Sequence, residues 1–564
     1  MTDPWLTLTA IAMAVVWLFG PGLAVGVVAG LRGFAAAALA PALSLAVLGA
    51  GGLLAPLAHL RWGVGTALIA CVLAVAIAFV ITRFLPIRAA RVLPQWKPRW
   101  RLGVMLATAA AAVLGFTLAF LGTGGARAMP QYHDSVFHAN LVRYIIQTGD
   151  ASPLHAGRLD HPGTDISYYP SAVHGLVALL PPSTQVWPAL NMVWLVAGTA
   201  VWTLGLVYLA RIVFPRRPGL TAAAAALAVL FESNPTSLVW LVPNAVGLSV
   251  LPALLGWSVQ LARVVRLKAV GRVTRTLILA AGVIGAGFAH PNCVFSYLVL
   301  ASPVALFIAA TFATRAWRRG LRALTVGALA VVVAVIAAAV IAVFAVPRVR
   351  DLVEAPGWEV PHSVALALAG GLFDATGVFA WGPNLLAFAT IVTGVIVVLR
   401  DRRQRWLVVS FGLSLALYLA AATQWGPLSW LTGLWYSDRT RLGPVLTVAA
   451  VPLALVGVDW ACRTVLGRLL GPVAPTATAP TSQGTRDDAV PTEVPASAAS
   501  AAVTEQTMDD DGPRVGPASA AQRTAQRRWV RPVCAVASVI ALVGGVTLVA
   551  MRPGRYAEQG YALV

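Results

Sequence analysis

The chain has 564 residues, of which 59% are hydrophobic and 11% are charged, and its formal net charge is +20. Soluble domains carry about 25% charged residues, whereas this chain repeats apolar runs of about twenty residues, the length that crosses a bilayer core. The composition excludes a soluble globular protein and predicts an all-α polytopic membrane protein. The positive charge does not indicate nucleic acid, because the arginines fall in short loops between apolar runs.

Fourteen membrane spans are predicted from the apolar runs. The first run lacks a basic n-region and a cleavage site, which predicts a span rather than a signal peptide. Shorter apolar pieces at 171–180 and 363–377 are candidates for re-entrant or interfacial segments. The predicted spans cover residues 5–29, 34–59, 64–83, 102–122, 187–210, 220–242, 244–263, 275–289, 292–313, 322–346, 379–399, 406–423, 441–461 and 532–551.

The arginine-rich loops predict the orientation of these spans. Basic loops follow the third, fifth, seventh, ninth and eleventh predicted spans, and the count of fourteen puts all of them on one side of the membrane. The positive-inside rule assigns that side to the cytoplasm. The chain is therefore predicted to be a multi-pass protein of the plasma membrane with both termini outside. Almost all of its distinctive polar residues fall in the outward loops.

Three regions are predicted along the chain. Residues 1–464 form a transmembrane catalytic core with an extracytoplasmic loop at 123–186. Residues 465–530 have almost no large apolar side chains, so they cannot build a core and are predicted to be a disordered cytoplasmic linker. Residues 531–564 contain the last predicted span and a short outer tail.

The stretch PQYHDSVFHANLVRYIIQTGD, residues 130–150, is the densest cluster of titratable groups in the chain. Its apolar residues recur at helical spacing, which predicts an amphipathic helix lying along the membrane surface. Asp134 and His138 are one turn apart and are expected at the water–lipid boundary. Two interpretations of Asp134 stay open. It, or Ser135, caps the helix, or it is a general base for a sugar hydroxyl, with His133 or His138 tuning it or binding sugar.

Two other outward stretches contain candidate ligand contacts. HPGTDISYYPSAVHGL places Tyr168, Tyr169 and His174 beside an apolar segment. They are either interfacial belt residues or contacts to a carbohydrate or lipid head group. His290 and Asn292 lie between two outward span ends, where a polar group is a functional candidate and a capped turn is the alternative.

The stretch GLWYSDRTRLGP, residues 433–444, opens a predicted span from the outside. Asp438 or Thr440 can cap this helix, whose N-terminus favours an anion. Arg439 and Arg441 add charged donors that suit a phosphate. Together with Tyr436, and with His290 and Asn292 nearby, they predict a donor-phosphate site. The alternative is a salt bridge of either arginine with an outer-loop acid, namely Asp351, Glu354 or Glu359.

Motifs that are absent narrow the function. No P-loop, no GxGxxG after a strand, no GxSxG and no HExxH occurs, which argues against a nucleotide-dependent enzyme with a cytoplasmic catalytic domain. The run YHDSVFH with Asp134, followed by YYP at 168–170, resembles the polytopic GT-C class of glycosyltransferases. WYSDRTR, with the opening motif, is similar to a little-described family of large actinobacterial membrane proteins. The GT-C resemblance implies an acidic residue in the first large outward loop and polyprenyl-phosphate-linked sugars as donors on the outer face.

The chain departs from the GT-C pattern in two ways. Several spans precede the acidic loop, where the class usually has one. Asp134 also has no second acid beside it in the sequence, and the other acids of the loop, Asp150, Asp160 and Asp165, are distant candidates for that role. The metal requirement is therefore undecided. No cofactor is assigned, and a divalent cation such as Mg²⁺ or Mn²⁺ stays open.

The sequence therefore predicts a membrane glycosyltransferase. It would move a sugar from a polyprenyl-phosphate-linked donor to a cell-envelope glycan, glycolipid or protein on the outer face, with Asp134 as the general base. The alternative is a transporter or flippase for a lipid-linked or anionic envelope precursor, which needs polar groups near the bilayer midplane. A non-catalytic scaffold is a third reading, and it would tolerate Asp134→Asn. The predicted partners are the donor, the acceptor and the bilayer, without nucleic acid.

Overall fold

Helices make up nearly all of the regular structure. The computed structural model describes residues 4–85, 93–180, 185–266, 271–345, 347–354, 361–376, 383–400, 404–425, 429–469 and 561–562. The helices are α1 Pro4–Val28, α2 Gly33–Leu54, α3 Val64–Phe84, α4 Pro98–Gly122, α5 His133–Thr148, α6 Ala172–Val177, α7 Val186–Val196, α8 Trp202–Val213, α9 Pro218–Leu230, α10 Val242–Ser249, α11 Leu251–Arg266, α12 Arg272–Ala289, α13 Asn292–Arg318, α14 Arg322–Ala345, α15 Pro347–Glu354, α16 Val364–Leu372, α17 Leu385–Arg400, α18 Arg405–Thr423, α19 Ser429–Thr432 and α20 Arg439–Leu469. Two short strands, β1 Met129–Pro130 and β2 Tyr561–Ala562, pair antiparallel.

Ten stretches of the described chain are helical, long and apolar enough to cross a membrane. They confirm an all-α polytopic membrane protein. The count of fourteen spans is not confirmed. The ten are Pro4–Val28, Gly33–Leu54, Val64–Phe84, Pro98–Gly122, Val186–Val213, Val242–Arg263, Arg272–Ala289, Asn292–Arg318, Arg405–Thr423 and Arg439–Thr464.

The predicted span at 220–242 is wrong as a single helix. α9 has 13 residues and ends at Leu230, and an irregular connection follows it to α10. The Asn234 side chain accepts the backbone N–H of Thr236 at 2.9 Å and, with Pro235, starts a short 3₁₀ turn. Asn-Pro pairs favour such turns. The predicted span at 379–399 corresponds to α17, a helix of 16 residues. The one at 322–346 corresponds to α14.

The C-terminal predictions lie largely outside the described residues. This applies to the span at 532–551 and to the linker from residue 470 onward. α20 continues to Leu469, so the helix extends past the predicted end of the core at 464. The chain divides into one compact unit, residues 1–460 with 537–564, and a second, residues 461–536. All candidate site residues belong to the first unit.

Helix α2 packs tightly between α1 and α12. A Cβ atom on Gly22 of α1 would lie 1.9 Å from the Ala40 carbonyl oxygen, and one on Gly285 of α12 would lie 2.0 Å from that of Ala42. Small residues let helix backbones approach this closely in membranes. The Gly22 N–H also donates to the Ser44 hydroxyl at 2.8 Å. Since α2 and α12 both contact α6, this packing positions the end of α12 beside α6.

Helix direction brings the outward-predicted loops to one end of the molecule. α4 leads into the segment that holds α5 and α6, and α12 leads into His290. α20 begins at Arg439, and the turn before it contacts α13. α8 and α11 end, and α18 begins, at the opposite end. Residues separated by about three hundred positions in the chain therefore meet at one place.

We predict that Gly285→Val destabilises the protein by at least about 1–3 kcal/mol, because the new side chain overlaps the backbone of α2. The measurement is the thermal melting temperature of the detergent-solubilised protein. Gly103→Val is the matched control: Gly103 is exposed in the second turn of α4, with nothing within 4 Å of its Cβ position. Equal melting temperatures for the two variants would contradict the close packing of α2 and α12.

Candidate functional site

Asp134 lies in the first turn of α5, whose start is firmly anchored. The Tyr132 ring stacks on Trp240 with centroids 4.3 Å apart. The Asn191 amide donates to the carbonyls of Ala126 and Ala128 at 2.9 and 2.7 Å, which fixes the chain just before α5. Tyr132 is the N-cap residue, and no side chain caps the helix. The alternative in which Asp134 or Ser135 serves as the cap is therefore wrong.

Helix α5 packs against protein along its buried face. Leu141, Val142 and Ile145 are buried, together with His138, and the helix contacts α6 and α7. The prediction placed this face on the membrane surface. Helical periodicity indicates that a face is covered but does not distinguish lipid from protein as the cover. The expectation that His138 lies at the water–lipid boundary is wrong for the same reason.

A pair of buried histidines forms the floor beneath Asp134. His138 Nδ1 lies 3.1 Å from His174 Nε2, and the two side chains are at most 3% exposed. Burial lowers the pKa of His138 to about 3 and that of His174 well below its usual value, so both rings are neutral. Tyr169 packs edge-on against His174 and against Phe137, at centroid distances of 5.9 and 4.6 Å. Burial raises the pKa of the Tyr169 phenol, which keeps it protonated.

A buried ion pair opens α20. Asp438 Oδ1 accepts the Thr440 N–H at 2.8 Å and caps the helix, as predicted. Asp438 Oδ2 accepts Arg441 Nε at 3.1 Å, and both side chains are buried. Two of the predicted alternative partners, Asp351 and Glu354, lie beside Arg350, at 3.9 and 4.0 Å, and the third, Glu359, lies outside the described residues. The partner of Arg441 is the acid three positions before it.

Arg439 and Arg441 point in different directions. They are two positions apart, and residues at that spacing do not share a helix face. Arg439 contacts the two ring nitrogens of His362 at 3.0 and 3.1 Å. The Arg441 guanidinium instead lies over the Tyr436 ring, 4.4 Å from its centroid. The structure therefore places Arg441 in the site and Arg439 beside it, rather than both on one phosphate.

Contacts of the preceding turn hold Tyr436 in a strained backbone conformation. Tyr436 and Ser437 have φ of 61° and 50°, a left-handed conformation that bulky residues rarely adopt. Trp435 Nε1 donates to the Ser296 hydroxyl at 2.8 Å, which ties the turn to α13. Gly433 lies against Val353, where a Cβ atom would come within 2.4 Å of Cα. Such strain persists where the surroundings over-determine it, and it clusters at functional sites.

Asp134 lies within electrostatic range of Arg441. Burial raises the pKa of its carboxyl group, and the charges of Asp438 and Asp160 raise it further. His133 and Arg441 act in the opposite direction. His133 Nε2 is 3.3 Å from Asp134 Oδ1, and its side chain is 77% exposed. Arg441 and Asp438 thus act on Asp134, and Arg441 also contacts Tyr436.

Asp160, a distant candidate for the second acid in the sequence, acts on the site. It was treated as distant, yet its charge acts on Asp134 and on Tyr169. The segment 151–167 folds back on itself: the Gly157 N–H donates to the Ser167 carbonyl at 2.9 Å, and the Ser167 N–H to that of Leu154 at 2.8 Å. No motif in the sequence indicates this fold-back. Asp150 instead holds His155 at 2.6 Å in a local turn.

His290 and Asn292, at the junction of α12 and α13, extend the site towards α10. The His290 ring lies edge-on to Tyr436, at 6.1 Å between centroids, and burial lowers its pKa well below the usual value, with a further contribution from Arg441. Asn292 Oδ1 accepts the Asn244 side-chain amide at 2.6 Å. Pro291 is the N-cap of α13, without a side-chain cap, so Asn292 does not cap the turn. Asn244 was not among the predicted site residues.

Two tyrosines form the exposed aromatic edge of the site. Tyr168 and Tyr436 are 49% and 40% exposed, and they are close enough for the Tyr436 phenol to raise the pKa of Tyr168, after the larger effect of burial. No group of three or more His, Cys, Asp or Glu side chains in the described part of the chain is arranged to hold a metal.

We predict that the free energy of unfolding falls as the pH drops from 7 to 5. An unfolded histidine has a pKa of about 6.5 and the buried His138 about 3, so the unfolded chain binds more protons in this window and acid favours it. His138 alone contributes a loss of about 2 kcal/mol at pH 5. The measurement is the melting temperature of the detergent-solubilised protein across this range.

Matched variants test whether the two buried histidines cause this loss of stability at low pH. Replacing both members of the pair, His138→Gln with His174→Gln, should flatten the profile. His59→Gln removes an exposed histidine and should leave the profile unchanged. A double variant whose profile runs parallel to that of the parent would show that the pair is not its cause.

Comparison with known proteins gives the family of the chain. No curated protein and no solved structure matches it. One family model, described as a family of unknown function, DUF6541, matches residues 15–562. Since this match covers nearly the whole sequence, the chain is a member of the DUF6541 family.

Proposed function

We propose that the protein is a GT-C-like glycosyltransferase that moves a sugar from a polyprenyl-phosphate-linked donor to a cell-envelope acceptor on the outer face of the plasma membrane. The observation that carries the proposal is that one carboxylate with a raised pKa, Asp134, lies within electrostatic range of one buried arginine, Arg441, at a single end of the helices. A base and an anion site facing each other are what a transfer from a lipid phosphate to a hydroxyl requires.

Asp134 is the general base in this proposal. A base works best when its pKa lies near the working pH, and burial moves the pKa of Asp134 upward in that direction. The carboxylate accepts the proton of an acceptor hydroxyl while the hydroxyl oxygen bonds to the anomeric carbon. The exposed His133, 3.3 Å away, is the nearest group through which that proton can leave.

Arg441 holds the donor phosphate. Asp438 contacts Nε and fixes the side chain, so the terminal amino groups of the guanidinium are left to bind two phosphate oxygens in the bidentate manner that suits arginine. As the bond between the anomeric carbon and the phosphate oxygen breaks, the oxygen keeps the electron pair. The charge of Arg441 stabilises this leaving group without a nucleotide.

The tyrosines supply the sugar contacts. Tyr168 and Tyr436 are close together and partly exposed, so their rings can pack against the apolar face of a sugar while their hydroxyls bond to it. His290 and the Asn244–Asn292 pair lie behind Tyr436. A single displacement between these groups inverts the anomeric centre.

We predict that Asp134→Asn lowers product formation by at least about 100-fold, the low end of what a general base contributes. The measurement is the envelope glycan composition of a deletion strain that expresses the variant, with protein amount and membrane location checked. Asp165→Asn is the matched control in the same segment, because Asp165 is exposed. Full restoration of the glycan by Asp134→Asn would overturn the role of the base. A glycan precursor retained on the inner face of the deletion strain would favour a flippase instead.

The two arginines provide a second test. Arg441→Lys keeps the charge and loses the fork, and we predict a loss of product of about tenfold or more, since removal of a transition-state donor costs 10²–10³. Arg439→Lys should have a smaller effect, because Arg439 faces His362. The melting temperatures of both variants separate lost activity from lost folding. A larger loss in Arg439→Lys than in an equally stable Arg441→Lys would contradict the assignment of the phosphate to Arg441.

A further inference from the structure

A cavity of about 260 Å³ lies at the end of the helices opposite the candidate site. It is partly open and is bounded by the ends of α8 and α11, the second half of α13 and the start of α18. Most of its wall is apolar, including Val213, Ala262, Val304, Phe307 and Trp406. An apolar cavity of about 150 Å³ is large enough to bind benzene, so this one has room for a segment of hydrocarbon chain.

The polar part of the wall is positive. Arg263 and Gln404 are the polar lining residues. Arg263 and Arg101 lie close enough to Arg211 to repel it electrostatically. Arg211 itself is held over the Trp96 ring, 3.8 Å from its centroid. Three arginines thus gather where the apolar cavity reaches the helix ends.

The acidic group described near these helix ends is already engaged. Asp459 accepts Arg217 at 2.8 Å, whereas Arg211 donates to the backbone carbonyls of Pro94 and Pro215 rather than to an acid. An anion placed at the edge of the cavity would meet the positive charges of Arg101, Arg211 and Arg263 together. Among molecules present in a bilayer, the one that joins a hydrocarbon chain to an adjacent anion is an anionic lipid.

We propose that this cavity binds one acyl chain of an anionic phospholipid whose phosphate lies against Arg263 and Gln404. The arginine distribution assigns this end of the helices to the cytoplasm, the leaflet where anionic phospholipids concentrate and where basic pockets between spans bind their head groups. The lipid fills the space between α8, α11, α13 and α18. It differs from the proposed donor in face and in site, so the inference is independent of the glycosyltransferase proposal.

The test uses the full-length protein in detergent and native mass spectrometry with added phosphatidylglycerol or phosphatidylcholine. We expect a retained phosphatidylglycerol, and Arg263→Gln should reduce its retention about fivefold, the effect of one basic residue near a membrane surface. Arg83→Gln is the matched control, an exposed arginine at the end of α3 that does not line the cavity. Its retention should equal that of the parent.

A second variant tests the apolar part of the site. Ala262→Leu places a larger side chain on the buried wall and should reduce the retention of both lipids, with the melting temperature confirming that the variant folds. Equal retention of the two lipids by the parent protein would overturn the proposal, as would an unchanged retention in Arg263→Gln. Preferential retention of a polyprenyl phosphate over phosphatidylglycerol would overturn the assigned occupant.

Discussion

The buried ion pair between Asp438 and Arg441 is the interaction on which the geometry of the candidate site depends. One carboxylate caps α20 with one oxygen and holds the arginine with the other. Removing one member of such a buried pair costs about 3–5 kcal/mol, because the other charge is left without compensation. The pair also sets where the positive charge lies. Arg441 acts on the pKa of Asp134 and, after the larger effect of burial, on those of His138 and His290.

The buried histidines restrict the path that a proton can take from Asp134. His138 and His174 form a hydrogen-bonded pair beneath Asp134, and burial keeps both rings neutral. In the proposed reaction, a proton taken up by Asp134 would therefore not be passed down into the protein. It would leave on the exposed side, where His133 lies beside the carboxylate. A buried layer that resists protonation and an exposed histidine above it would make the proposed proton transfer directional.

Much of this arrangement could be predicted from the sequence, because hydropathy marks most of the spans and the basic loops mark one face. Those two signals place Asp134, Tyr168, His290 and Arg441 on the same side, although they lie far apart in the chain. The spacing of two between Arg439 and Arg441 argues against the predicted shared phosphate, and a spacing of three allows the Asp438–Arg441 pair, which was not predicted. The Asn-Pro pair at 234–235 marks the end of α9, although the predicted span continued through it to residue 242.

Other features could not be predicted, for identifiable physical reasons. The burial of His138 depends on α6 and α7 covering α5, and the periodicity of α5 is the same whether lipid or protein covers it. The proximity of Asp160 to Asp134 depends on backbone hydrogen bonds within 151–167, which involve no distinctive side chain. Asn244 became a site residue only through its contact with Asn292, across 48 positions of the chain.

The two halves of the site are supported by different parts of the fold, and this division matches the two substrates of the proposed reaction. Arg441, Tyr436 and His290 are fixed by α12, α13 and α20, which are candidate membrane spans. A donor that arrives within the bilayer would meet these residues first.

Asp134 lies instead on α5 in the segment between two spans. Trp62 holds that segment by donating two hydrogen bonds: its backbone N–H donates to the Gly149 carbonyl at 2.7 Å, and its indole N–H to that of Gly175 at 2.9 Å. An acceptor that approaches from the aqueous side would meet this half. The distance between base and phosphate is then set where the halves touch, at the neutral histidines and at Tyr169, so a rigid and uncharged contact layer is what the chemistry requires there.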